Sequence, residues 1–285
     1  TIGINSNLQI FRRKKTHYQT IDNRLLYFED ENKYTANDYE ANVELLYRKN
    51  IHYKHALKLH YFSSSVNDSV TFKNPNYLYN NSNSGNFYKS TYSFTDEHRD
   101  YVVYPLHGHQ FSAEATKYFE GTSPINHFEL KARAEKYIEP VNRLFLGSSF
   151  AVKLASNGYQ PYSQEEGFGY NDYVRGYEYY VVDGNAATIL KTAFHHSLGS
   201  ITVKNPLTQK FLPEVKYDFW IRVFSNLGYV YSDRPSNTNK LSNTLIRTAG
   251  IGLDVISIYD FVLKIDYSVN QLGDKGVYLH GGINF

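Results

Sequence analysis

The chain has no cysteine, no methionine and a single tryptophan. Without cysteine there is neither a disulfide scaffold nor a thiolate metal centre. Long apolar runs are missing as well. A membrane-spanning helix needs about 20 consecutive apolar residues, and the most apolar stretch, 255–263, is broken by Ser257 and Asp260. A strong charge of either sign is also absent: 30 basic and 28 acidic side chains leave a net charge of +2 over 285 residues. Duplex-binding proteins carry a basic excess, so nucleic acid is not an expected partner. The sequence opens without methionine and without a basic-then-apolar leader, which reads as a processed chain or a fragment.

What is abundant is tyrosine, with 28 residues, and phenylalanine, with 18. Tyrosine concentrates where one end of a side chain meets hydrocarbon and the other meets water. A soluble β-protein can share that composition, so the order of residues has to decide. That order is alternation with period two. Between His127 and Ile138 one face reads Phe128, Leu130, Ala132, Ala134, Lys136 and Ile138; the other reads His127, Glu129, Lys131, Arg133, Glu135 and Tyr137. The pattern recurs with Tyr39, Ala41, Val43, Leu45 and Tyr47 opposite Glu40, Asn42, Glu44, Leu46 and Arg48. It recurs again with Leu263, Ile265, Tyr267 and Val269 opposite Lys264, Asp266, Ser268 and Asn270.

Two architectures produce such rows. A soluble sandwich buries the apolar face between two sheets. A membrane barrel turns the apolar face to lipid and the polar face to a lumen. Segments of about 9–13 residues suit a tilted membrane span better than an ordinary strand, and polar faces dense in both charges suit a lumen. Connections also alternate between a short turn, Val66-Asn67-Asp68-Ser69, and long polar loops at 80–86, 157–187 and 232–244. The expected fold is an all-β, antiparallel, up-and-down transmembrane barrel occupying 1–285. Its strands are expected near 2–12, 17–28, 38–48, 54–64, 69–79, 86–97, 109–120, 127–138, 143–155, 187–198, 217–231, 244–256, 260–270 and 276–285, about fourteen in all. The stretch 200–215 is longer than a short turn requires.

Four stretches carry a family signal. The first is Asp96-Glu97-His98-Arg99-Asp100 followed by Tyr104-Pro105-Leu106-His107-Gly108. The second is Val174-Arg175-Gly176-Tyr177, continuing to Gly184, and the third is Phe224-Ser225-Asn226-Leu227-Gly228. The last comprises Arg247 to Asp254, Ile265 to Ser268, and Gly281-Gly282-Ile283-Asn284-Phe285. Together they resemble the BamA/TamA-type barrels, the bacterial surface antigen family of the outer membrane. The second matches that family's V-R-G-F/Y loop signature, and its extended form is most similar to the Bacteroidota branch. Asn226 departs from the family's F-x-D-x-G pattern, which has Asp at that place.

The resemblance implies about sixteen strands and preceding POTRA domains, so opening strands and such domains are expected to be missing from this chain. It also implies that Val174, Arg175, Gly176 and Tyr177 fold into the lumen with Arg175 against the wall. Parity then offers Asn226, Asp254 and Asp266 as partners of Arg175. Gly281, Gly282 and Phe285 would lie on a closing strand at a lateral seam, where glycine weakens packing and permits a bend. The implied function is non-enzymatic: assembly or insertion of outer-membrane proteins, or polypeptide translocation. The implied partners are outer-membrane lipid or lipopolysaccharide, unfolded outer-membrane proteins, and accessory periplasmic or lipoprotein subunits. The alternative is a passive channel or transporter with loop 157–187 as its constriction.

No G-x-S-x-G, H-E-x-x-H or P-loop occurs, so no catalytic residue and no cofactor is expected. Of the eleven histidines, His195 and His196 are strand neighbours on opposite faces. His107 and His109 can share a face but have no evident third ligand, and no metal site is expected.

Overall fold

Alternation decides which face of each strand is covered, and here it covers the polar face. The computed structural model describes residues 1–156, 160–170, 172–204, 214–233, 238–257 and 261–281. Fourteen strands occur among them. Twelve form one antiparallel up-and-down sheet. In order these are β1 (Ile2–Arg13), β4 (Ala36–Arg48), β5 (Tyr53–Val66), β6 (Ser84–Glu97), β7 (Gly108–Glu120), β8 (Phe128–Val141), β9 (Leu144–Ala155), β10 (Ala186–Lys204), β11 (Glu214–Tyr231), β12 (Leu245–Ile256), β13 (Val262–Asn270) and β14 (Lys275–Gly281). The other two, β2 (Lys15–Ile21) and β3 (Arg24–Glu29), make a separate hairpin. Among the described residues β1 and β14 do not pair with each other, and the sheet is open along both edges.

Two segments expected to span have other structures. The segment 17–28 has the length of a single span, but Asp22 and Asn23 both take positive φ, 48° and 58°. That is the backbone of a tight hairpin turn, and it folds the segment into β2 and β3. In 69–79 the chain instead forms a short helix, α1 (Asp68–Lys73), whose N-terminal amide at Ser69 is capped by the Asn67 side chain at 2.9 Å. The expected turn at 66–69 is therefore the start of a long connection, 67–83. That connection lies at the same end of the sheet as 14–35, 156–185 and 232–244, while 49–52, 98–107 and 142–143 lie at the opposite, short-turn end.

Burial is inverted relative to a soluble protein. On β8, Glu129 and Glu135 are each 7% exposed, whereas Phe128 and Leu130 are 58% and 44% exposed. The same inversion places Val43 and Leu45 of β4, Val223 and Leu227 of β11, and Val277 and Leu279 of β14 on the open face. Each such side chain left in water would forgo about 1.5–3 kcal/mol of burial, so this face belongs against hydrocarbon. The apolar rows are not packed between two sheets, which removes the sandwich. Outward aromatics form two girdles, Tyr39, Tyr88, Phe119, Phe128 and Tyr229 towards the long-loop end and Tyr47, Tyr92 and Phe111 towards the short-turn end, as transmembrane barrels have at both interfaces.

The stretch 200–215 finds its explanation in strand length. β10 and β11 continue past their other neighbours: β9 stops pairing at His196 and β12 at Asp218, so 201–204 pairs only with 214–217. The departure is marked by a bulge between Ser197 and Gly199, with Gly199 at φ 110°. The result is a two-stranded ribbon beyond the short-turn rim.

Candidate functional site

β11 supplies the wall of the site. Its period of two turns Arg222, Phe224, Asn226, Gly228 and Val230 inward, all buried, while Val223, Leu227 and Tyr229 face outward. β12 presents Ile246, Thr248, Gly252 and Asp254 to the same interior, and β13 presents Lys264, Asp266, Ser268 and Asn270.

Connection 156–185 descends onto this wall. A backbone bridge between Phe168 and Val182 closes its neck. Val174 and Tyr177 are fully buried and pack with Phe168, Val182, Ile189, Val230 and Ile246. Arg175, between them, turns to β11: its Nη2 donates to Asn226 Oδ1 at 2.9 Å, and its guanidinium lies 4.2 Å from the Phe224 ring centroid. Asn226 Nδ2 donates onward to Thr248 Oγ1 at 2.9 Å. Asn270 Nδ2 donates to the Gly176 carbonyl at 2.9 Å, and the Glu178 carboxylate accepts from the Gly176 amide at 2.8 Å and 3.0 Å. The loop and strand motifs thus meet residue by residue. Phe224 lies against Arg175, Asn226 accepts from it, and Gly228 leaves space that a Cβ would close to 3.1 Å from Val174.

Gly176 and Gly273 both have φ 87°, but a Cβ on Gly176 would come within 3.1 Å of Ser268 Oγ and 3.3 Å of Thr248 Cγ2, while Gly273 has open space. Left-handed backbone costs an L-residue about 1–2 kcal/mol. Gly273→Ala is expected to show that backbone cost alone. Gly176→Ala is expected to lower the thermal midpoint further, because the wall has to yield as well. Equal shifts in the two melting curves would mean that the loop does not press on the wall.

Asp254 and Asp266, expected beside Arg175, hydrogen-bond a cation that the sequence reading passed over. Arg222 Nη2 donates to Asp254 Oδ1 at 2.9 Å and to Asp266 Oδ1 at 2.6 Å, and all three side chains are 1% exposed or less. Gly252 faces Asp266 across the β12–β13 register, and a Cβ there would sit 2.3 Å from Asp266 Oδ1. The motif glycine is therefore the clearance for an ion triad. Arg222 also lies 5.4 Å from the Phe224 centroid, on the same ring that receives Arg175.

No protein-family model matches the chain, and no curated protein does. Among solved structures, the crystal structure of BamA from Haemophilus ducreyi lacking POTRA domains 1-3 matches with a TM-score of 0.61 at 11% identity, over 87% of this chain and 54% of that chain. The fold is BamA-like. This chain spans about half the length of that structure. Fourteen strands occur among its described residues, the number expected of this chain, and twelve of them form the main sheet.

Elsewhere in this BamA-like barrel, the long-loop end is knitted together by a residue that sequence reading gave no role. Asn23, at the β2–β3 turn, donates from Nδ2 to Val181 O at 3.0 Å and to Asn239 Oδ1 at 2.7 Å, and its Oδ1 accepts from the Leu241 amide at 3.1 Å. One side chain so joins the hairpin, the lumen loop and connection 232–244. Nearby, burial raises the Asp183 carboxyl above the ordinary carboxylate range, and the Tyr170 hydroxyl donates to it. At the short-turn end, connection 98–107 also enters the lumen. Tyr104 Oη donates to Asp254 Oδ2 at 2.8 Å and lies 2.9 Å from His195 Nδ1. Arg99 pairs with Glu97 and, at 2.9 Å, with Glu135.

Of the expected seam residues, Gly281 ends β14, paired with Leu263, and Gly282 and Phe285 lie outside the described residues. The contact between β14 and the lumen loop runs through His280, another residue without a sequence signal. Its ring stacks on Tyr173 at 5.3 Å, and its Nε2 lies 3.4 Å from Glu178 Oε1. His195 is buried and His196 faces outward, its Nδ1 donating to the Arg143 carbonyl oxygen at 3.0 Å.

Proposed function

We propose that this chain is the barrel of a non-enzymatic machine of the bacterial outer membrane, of BamA/TamA type and nearest in its loop motif to the Bacteroidota branch, which inserts outer-membrane proteins or translocates polypeptide. The observation that carries this reading is the lumen loop fastened at once to the β11–β13 wall and, through Tyr173 and Glu178, to the edge strand β14. An unpaired strand edge offers a row of backbone donors and acceptors to an incoming strand. A loop that grips that strand from inside sets when the edge is held and when it yields. The substrate class is an unfolded outer-membrane protein whose own strands add to the edge, with surrounding lipid or lipopolysaccharide and accessory periplasmic or lipoprotein subunits as further partners.

The absence of cysteine makes the test clean, since any introduced thiol is the chain's only one. With Leu279→Cys in β14 and a cysteine in the terminal strand of a substrate barrel, oxidation during assembly is expected to trap a mixed disulfide. Leu130→Cys on β8, flanked by β7 and β9, is expected to trap none. Equal yields at the two positions would end the edge-templating reading.

A further inference from the structure

We propose that Asp96, His98 and His109 form a binding site for a divalent transition-metal ion of the zinc class, on the outer rim at the short-turn end. Asp96 is the penultimate residue of β6 and His98 follows the strand, so period two puts both on one face. Glu97 pairs with Gln110, and the His98 amide donates to the His109 carbonyl at 2.9 Å, which sets His109 directly opposite His98 across the β6–β7 ladder. Two residues at i and i+2 and one across the ladder thus converge, although His98 and His109 are eleven positions apart in the chain.

The donor atoms of the three side chains lie within 4.8 Å of one another. His98 Nδ1 is 2.7 Å from Asp96 Oδ1, and His109 Nε2 is 3.8 Å from Asp96 Oδ2. Neither Asp96 Oδ1 nor His98 Nδ1 has a hydrogen-bond partner among the described residues, although both atoms are shielded from solvent. Around a tetrahedral zinc with bonds of about 2.0–2.1 Å, neighbouring ligand atoms stand about 3.3 Å apart; the three donor atoms here, within 4.8 Å of one another, reach that spacing by side-chain rotation. The histidine rings pack on one another: His98 lies 4.0 Å from His52 and 4.9 Å from His109, near parallel to both, and His52 Nδ1 is held 2.6 Å from Glu97 O.

Two imidazole nitrogens and one carboxylate oxygen suit zinc, copper or nickel, whereas calcium and magnesium prefer all-oxygen shells. Three protein ligands leave a fourth position open to the outside. A bound ion would staple β6 to β7 at the root of connection 98–107, whose Tyr104 reaches the far wall of the lumen. The site is independent of what the barrel transports.

The test uses the full untagged chain folded in detergent and stripped with a chelator. Titration with Zn²⁺ is expected to saturate at one tight equivalent, and Co²⁺ at the same site to give the visible absorption of a tetrahedral nitrogen–oxygen centre. His109→Ala and Asp96→Asn are each expected to weaken Zn²⁺ binding at least tenfold and to abolish the cobalt band, with the Trp220 emission spectrum unchanged as proof of folding. His196→Ala, on the outer face away from the cluster, is expected to bind as the parent does. No saturable zinc binding by the parent, or equal affinity in the parent and both cluster variants, would overturn the assignment.

Discussion

Replacing Arg222 with leucine is expected to lower the unfolding free energy of the barrel by about 3–5 kcal/mol, the range seen when one partner of a buried ion pair is removed. The cation is shared between Asp254 and Asp266 at 2.9 Å and 2.6 Å with essentially no solvent contact. Its loss leaves Asp254 on β12 and Asp266 on β13 buried without the guanidinium they share. The cost arises from the acids left behind, so it should be recoverable. Arg222→Leu combined with Asp254→Asn and Asp266→Asn is expected to regain most of the stability, since replacing a whole buried ion network is often nearly neutral. Trp220, the chain's one tryptophan, lies two residues away on β11, with its ring 5.7 Å from Tyr104 and 5.5 Å from Phe145. Urea unfolding in micelles followed by its fluorescence reads the network locally. A single variant within about 1 kcal/mol of the parent, well short of the 3–5 expected, would show that water in the lumen already screens the acids.

Arg175→Ala is expected to release the lumen loop without unfolding the wall. The side chain's contacts include a charged hydrogen bond to Asn226, worth about 1.5–3 kcal/mol, and a cation–ring contact with Phe224 worth about 0.5–2 kcal/mol. Losing about 2–5 kcal/mol shifts the docked-to-free equilibrium of the loop roughly 30- to 4000-fold, at 1.4 kcal/mol per factor of ten. Hydrogen exchange of the amides in 172–182 should accelerate accordingly, while those of β11 keep their protection. Arg175→Lys is expected to restore less than half of the effect. A compact ammonium cannot both lie flat against Phe224 and donate in plane to Asn226. Exchange in 172–182 that stays within threefold of the parent would remove the anchoring role.

Much of this was legible in the residues, and the misses have physical causes. Strand β8 could be read outright because its two faces differ completely, glutamates against leucine and phenylalanine. The β2–β3 hairpin was legible only through the Asp22-Asn23 pair, residues that favour tight turns, and it was missed because the whole segment has the length of one span. Helix α1 is too short for a 3.6-residue period to register. In the site, period two identified Asp254 and Asp266 as inward but offered no way to choose their cation. Arg222 carried the same signal as Asn226, four places away on one strand, and was passed over because the loop arginine drew the pairing. Asp96, His98 and His109 stayed invisible for a different reason: their proximity depends on which residue of β6 faces which residue of β7, and no sequence spacing encodes that register.

The ribbon formed by 201–204 and 214–217 reaches about 13 Å past the rim, at about 3.3 Å per residue. Within β10, then, one continuous backbone passes from a segment locked on both sides to a segment bonded on one side only. An isolated pair of strands is marginal in water, so opening fluctuations of the ribbon need not disturb Leu190 or Lys191 farther up the same strand. A single element so carries two clocks, a fast one dipping into the aqueous space and a slow one set by the wall. The bulge at Gly199 is the joint that keeps them from running together.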